Sequence, residues 1–285
     1  MPTATLRHHG GRLSYRGYPF IQYPWTHLPR EVDWVMTAVT FVPGASNAEA
    51  TSYTDLWASL ASECDAIVVA VDTQGQNGAN TACLLDIATG IATAEVNVVT
   101  NACIGYSNTQ SSKGYCFPVR VAKGTRVSIR AQSVHATPAT ARIRAVALKS
   151  PFGFRSPPAL VTIGDANSAT SRGTAITTDD TWTEVTAATT GAYQALVLTY
   201  GGNSDTGLAN AADQSISLGV GASGSETEIL RGGFETTTGE LHLRQFSALS
   251  SIAAGPFAKG IRVAVKGSSA SGNQLDAVVF GVPLA

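Results

Sequence analysis

A ten-residue pattern occurs twice in this chain. Residues 122–131 read AKGTRVSIRA and residues 258–267 read AKGIRVAVKG, an offset of 136. The shared form is A-K-G-x-R-V-x-[IV]-[RK]. Lys-Gly is a turn signal, because Gly reaches positive φ without a Cβ clash. The residues that follow alternate like a half-buried strand. Val127 and Ile129 point one way, and Arg126, Ser128 and Arg130 the other; Val263 and Val265 are flanked likewise by Arg262 and Lys266. A chain that repeats a turn and a strand at this distance is expected to fold as two copies of one unit.

The repeat extends outward. Asp55-Leu56-Trp57 is matched to Asp180-Thr181-Trp182, and each Trp precedes an apolar segment, 66–71 or 195–200. Each of those segments runs into an Asn/Gly/Asp-rich stretch, 72–80 or 201–213, and each copy ends on another apolar segment, 143–148 or 277–282. With 34–42, 119–131, 215–220 and 261–265, these short Val/Ile/Thr-rich runs between Gly, Asn, Asp, Ser and Pro clusters predict strands. Long helical periodicity is absent, and the best helix candidate is 54–61, with Thr54 or Asp55 as its cap. The expected fold is all-β: two tandem β-sandwich or jelly-roll-like domains from an internal duplication, preceded by an extended arm. The boundaries expected are an arm at 1–45, domains at 46–150 and 159–285, and a Pro-rich linker, PFGFRSPP, at 151–158.

Composition narrows the function. Of 285 residues only 14% are charged, and 19 Lys+Arg against 20 Asp+Glu leave a net charge of −1. A nucleic-acid binder needs a cation surplus, which this chain lacks. No apolar run approaches the ~20 residues that span a bilayer, and the first thirty residues show no apolar signal-peptide region. The arm is different in kind. Tyr15, Tyr18, Phe20, Tyr23 and Trp25 lie among four prolines, which suits a segment that packs on its own domain or on a neighbour.

Chemical motifs are sparse. Gly219-Val-Gly-Ala-Ser-Gly224 matches G-x-G-x-x-G but lacks a surrounding βαβ unit, so it reads as a turn between strands. Cys64, Cys83, Cys103 and Cys116 form no Cys-x-x-Cys pair; they read as buried thiols, with a Cys103–Cys116 bridge as the alternative. His8, His9, His27, His135 and His242 offer no metal or catalytic spacing, and no cofactor or metal is expected. Trp57 and Trp182 read as core residues, with sugar stacking as the alternative. Arg120, Arg126, Arg130, Arg142 and Arg144 are expected to line one sheet face, separated by acidic partners, an interface or solvent. Asp72, Asn77 and Asn80 in one copy, and Asn203, Asp205, Asn210 and Asp213 in the other, are oxygen-rich loop residues. They suit turn chemistry, or hydrogen bonds to sugar hydroxyls or a cation.

Three classes remain: a structural subunit, a carbohydrate or receptor-binding module using the Asx loops, and a glycan hydrolase, for which no carboxylate pair presents itself. The segments FPVRVAKGTRVSIRA (117–131), GPFAKGIRVAVK (255–266) and TWTEV (181–185) resemble β-sandwich virion proteins of tailed bacteriophages. That resemblance covers residues 50–285 and implies a non-enzymatic virion component: tail, baseplate, fibre, spike or head decoration. Its implied partners are other virion proteins, further copies of itself and a host-surface glycan, with no nucleic acid and no membrane. Two similar domains per chain also suit a trimer, in which six like modules form a ring.

Overall fold

The computed structural model describes residues 30–34, 39–45, 48–72, 83–104, 114–133, 140–149, 152, 154–164, 173–176, 180–202, 214–234, 251–268 and 275–284. Among these residues the regular elements are strands, and none is an α-helix. The first module comprises β1 (Arg30–Trp34), β2 (Val39–Phe41), β3 (Thr54–Trp57), β4 (Ala66–Asp72), β5 (Cys83–Thr89), β6 (Val96–Ile104), β7 (Gly114–Phe117), β8 (Val127–Ser133) and β9 (Ala141–Lys149). The second comprises β10 (Val161–Ile163), β11 (Thr174–Ile176), β12 (Thr183–Thr186), β13 (Tyr193–Gly202), β14 (Gln214–Val220), β15 (Thr227–Phe234), β16 (Ile252–Phe257), β17 (Val263–Ser268) and β18 (Leu275–Pro283).

Each module is a sandwich of two antiparallel sheets with one strand order. In the first, β1 and β2 pair with β9, followed by β4 and β7; the facing sheet runs β3-β8-β5-β6. In the second, β10 and β11 pair with β18, followed by β13 and β16; the facing sheet runs β12-β17-β14-β15. From β2 in the first module and from β11 in the second, successive strands cross between sheets, except at the hairpins β5–β6 and β14–β15. This is the jelly-roll winding, carried out twice. The duplication read from the sequence is therefore a duplication of topology.

Register shows which residues correspond. Val127 pairs with Trp57, and Val263 with Thr186, while Asp55 opposes Ser128 and Glu184 opposes Ala264. Asp55 therefore corresponds to Glu184. Counting along the same strand, Tyr53 corresponds to Trp182, so the sequence match of Trp57 to Trp182 is out of step. Trp57 is buried. Trp182 is half-buried on the outer sheet face, where its ring lies against the bare backbone of Gly219 and Lys266 Nζ stands 5.1 Å from the ring centroid. Arg130 stands 4.8 Å over Tyr53 in the same arrangement.

The repeated Lys-Gly motif locks one end of each module. Gly124 and Gly260 take positive φ, and their amides donate to the carbonyls of Leu60 and Thr189. The following Arg gathers two acids from two other segments. Arg126 bonds Asp55 of β3 at 2.6 Å and Glu95 of the β5–β6 turn at 2.7 Å. Arg262 bonds Glu184 of β12 at 2.7 Å and Glu226 of the β14–β15 turn at 2.6 Å. Both hairpin turns also close on the Arg backbone, through Gly90 N and Gly221 N. The G-x-G-x-x-G segment is thus the β14–β15 hairpin, as the sequence suggests, with Gly221 and Gly224 at positive φ.

Four expectations need correction. Residues 54–57 form strand β3 rather than the start of a helix, because Asp55 is held by Arg126 and its neighbours pair with β8. Within 119–131 the strand begins at Val127, after the turn. The first module begins before residue 45, since β1 and β2 both pair with β9. The arginines do not share a face: Arg126 and Arg130 flank β8, Arg142 and Arg144 lie on β9 of the other sheet, and Arg120 pairs with Glu63. The Lys149 ammonium and then the Arg120 guanidinium, both bonded to Glu63, hold that carboxyl down at about 2.

Replacing Arg126 or Arg262 by Ala strands a nearly buried glutamate, Glu95 or Glu226, without its cation. Each change is expected to lower the urea midpoint of unfolding, with similar losses at both sites. Lys should rescue only in part, since one ammonium cannot serve both carboxylates with a planar fork.

Candidate assembly interface

The two modules meet through unlike surfaces. The first presents the open side of its sandwich, between edge strands β6 and β7. The second presents the outer face of the sheet containing β13 and β18. Side chains alternate along those two strands. Leu196, Leu198, Ala277 and Val279 face the second module's own core. Ala195, Val197, Val278, Phe280 and Val282 face the other way and join the first module's hydrophobic cluster, together with Ile252. One apolar core therefore runs from the first sandwich into the second module's sheet.

The contact has specific geometry. Phe117 meets Phe280 edge to face at 6.2 Å, and Tyr115 meets Tyr200 likewise at 6.3 Å. The buried Tyr115 hydroxyl donates to the Tyr200 carbonyl at 2.6 Å. As an edge strand, β6 presents backbone groups that its sheet leaves unpaired. The Cys103 amide donates to Thr199 Oγ1 at 3.2 Å, and that hydroxyl donates onward to the Val278 carbonyl at 3.1 Å. Leu160 N donates to the Val98 carbonyl at 2.9 Å, so the linker also caps this edge. The linker is a fixed strap: Phe152 is buried and stacks on Phe154, and Pro157 accepts from Arg120 N at 2.7 Å.

A second feature lies beside the described residues 42–45 and 48–53, where Gly44 bridges Gln132 of β8. Gly44 N and Ala50 N both donate to the Ala131 carbonyl. Beneath them, buried Asp86 accepts from Asn97 Nδ2 at 2.7 Å, Asn101 N at 2.9 Å and Arg130 Nε at 3.0 Å. Glu49 Oε2 stands 3.7 Å from Arg130 Nε and is buried with no hydrogen-bond partner among the described residues. Burial, then the Asp86 charge, push the Glu49 carboxyl up from 4.5 to about 7, against the pull of Arg130. The cluster anchors a covering segment.

The residues singled out from the sequence fare differently. Asp72 closes β4 opposite Arg142. Asn77, Asn80, Asn203, Asp205, Asn210 and Asp213 lie outside the described residues, as do Tyr15, Tyr18, Phe20, Tyr23 and Trp25 and all five histidines. The four cysteines are free and buried. Cys103 and Cys116 lie in different sheets, on β6 and β7, rather than on neighbouring strands of one sheet. Burial pushes the thiols of Cys64 and Cys83 up to about 11 and about 12. The interface residues Thr199, Val278, Phe280 and Val282 were missed. Their signal is visible when the copies are aligned: β9 reads ARIRAVALK, alternating, whereas β18 reads LDAVVFGVP, apolar on both faces.

The sequence matches no protein-family model, and no curated protein matches it. Among solved structures it is similar to the STIV MCP, a viral major capsid protein, at 8% identity and a TM-score of 0.32 over 88% of this chain and 96% of that one. It is similar to recombinant N-glycanase F (PNGase F) at 9% identity and a TM-score of 0.29 over 92% and 95%. Both scores are too low to carry a functional inference, which rests on the geometry above.

Phe280→Ala removes the ring that fills the shared core and should cost about 3–4 kcal/mol, measured by urea unfolding. Stability should also depend on Glu49. Its folded-state value is raised, so its contribution is complete below 4.5 and is lost as pH rises through about 7. Solvent reaches this half-buried carboxyl and screens part of the effect, so the expected loss across that window is about 1–2 kcal/mol, and Glu49→Gln should flatten the pH profile there.

Proposed function

We propose that this chain is a non-enzymatic structural subunit of a virus particle. At finer grain, the reading is a peripheral component of a tailed phage, such as a fibre, spike, baseplate or decoration subunit. It docks through its N-terminal residues onto other virion proteins and assembles with its own copies, as a trimer of six like modules. The observation that carries the reading is the contact between two jelly rolls of one strand order, in which one module's sheet face completes the other's open core. A unit that buries its like in this way is built for repetition. The low charge agrees with this, because interface cores are depleted of charged residues.

The strand ends support a division of labour within each module. The Arg126 and Arg262 locks hold the turns at one end. At the other, the ends of β4, β6 and β8 and the starts of β5, β7 and β9 lie together, as Asp72 opposite Arg142 and Cys83 opposite both Ile104 and Ser133 require. The described strands on either side of 73–82, 105–113 and 134–139 therefore begin and end at one end of the module. A surface glycan, if the particle reads one, would be met there.

Density-gradient sedimentation of source particles, probed for this chain, tests the reading. Co-sedimentation that survives a salt wash is expected, and a chain lacking residues 1–29 should fold yet fail to attach. A full-length chain that stays at the top of the gradient contradicts the structural reading, and glycan-binding and hydrolysis assays would then take its place.

A further inference from the structure

The contact between the modules uses two different surfaces of one repeated unit: a sheet face and an open sandwich edge. One chain joins one face to one edge. It therefore has a second face, on the first module, and a second edge, on the second module. The second face can be read residue by residue. Val68 and Val146 are register partners, as Val197 and Phe280 are at the corresponding place in the second module. Ala70 opposite Arg144 stands where Thr199 stands opposite Val278. Val197, Thr199, Val278 and Phe280 are all fully buried by the contact. Val68, Ala70 and Val146 are half-covered, and Arg142 and Arg144 beside them are exposed.

The second edge corresponds in the same way. Strand β15 is the outermost strand of its sheet, as β6 is in the first module. On β6, Val98 and Val99 are 7% and 0% exposed. At the corresponding places on β15, Ile229 and Leu230 are only partly buried against their own core. The first module's edge is sealed, and the described part of the second module's edge is not.

We propose that the face around Val68 and Val146 docks the β15 edge of a second copy of this chain, repeating between chains the contact made within one. The inference rests on the structural-subunit reading for its biological setting and deepens it by naming the partner and the surface. A face on one end of the chain and an edge on the other is a head-to-tail arrangement. Such a contact closes into a ring if successive modules turn by equal parts of a circle, and otherwise propagates. The exposed Arg142 and Arg144 replace Asp276 and Val278 in this face, so the contact between chains is wetter than the one within the chain, and it dissociates where the inner one does not.

Sedimentation velocity of the full chain over a concentration series tests this. The wild type is expected to form a discrete oligomer. Val146→Glu should yield a monomer with an unchanged far-ultraviolet spectrum, and Ile91→Glu, on an exposed turn elsewhere, should leave the oligomer intact. If Val146→Glu fails to fold, Arg144→Glu decides, because an exposed side chain is replaced: a weakening of self-association by about tenfold or more is expected. A wild type that stays monomeric at all concentrations overturns the inference, as does an oligomer indifferent to both face variants. The two readings fail separately. A monomer that still co-sediments with particles sinks the docking surface alone, whereas a variant-sensitive oligomer absent from particles sinks the virion reading alone.

Discussion

The rest of the molecule depends on one burial: the outer face of the second module's β13–β18 sheet against the open side of the first module's sandwich. A jelly roll has two edge strands where its sheets splay, and its core is exposed between them. Here Phe117 and Tyr115 would meet water at that opening. Instead they meet Phe280 and Tyr200. The first module is finished by its neighbour, and the second module carries apolar side chains on both faces of one sheet for that purpose. Burying a residue such as Phe280 stabilises by roughly 2–3 kcal/mol, a large share of the margin that separates folded from unfolded chains. Thr199 adds little net energy but removes a penalty, since an unpaired Cys103 amide in that setting would be costly.

The two Arg locks work on a different problem. Two turns and a strand must be held at the same end of each sandwich, and a single guanidinium leaving the Lys-Gly turn reaches both the hairpin turn and the strand. Duplication preserved this lock more closely than it preserved the surfaces. Arg126, Asp55 and Glu95 have counterparts in Arg262, Glu184 and Glu226, whereas Phe280 and Val278 face Val146 and Arg144 across the repeat. What the fold requires of each copy was kept. What each copy meets in the assembled chain has diverged.

This divergence explains what could be read in advance. The turn and strand of A-K-G-x-R-V are local signals, and both copies report them, so the all-β fold and the duplication were legible. The match of Trp57 to Trp182 failed because a shared residue type outweighed register: the ring at the true counterpart of Trp182 is Tyr53, and the two are related by the cation beside each, Arg130 or Lys266, not by identity. Asp55 looked like a helix cap because its partner, Arg126, is 71 residues away. The interface was hidden for a similar reason. An apolar strand such as β18 looks like any core strand until it is laid beside β9, where Arg142 and Arg144 show that the same position can face water.

The central claim is that the two modules share one core. Differential scanning calorimetry of the full chain tests it most directly. A shared core predicts a single transition whose calorimetric and van't Hoff enthalpies agree. Two resolved transitions, or a calorimetric enthalpy near twice the van't Hoff value, would mean that the modules unfold independently and that the contact between them is superficial.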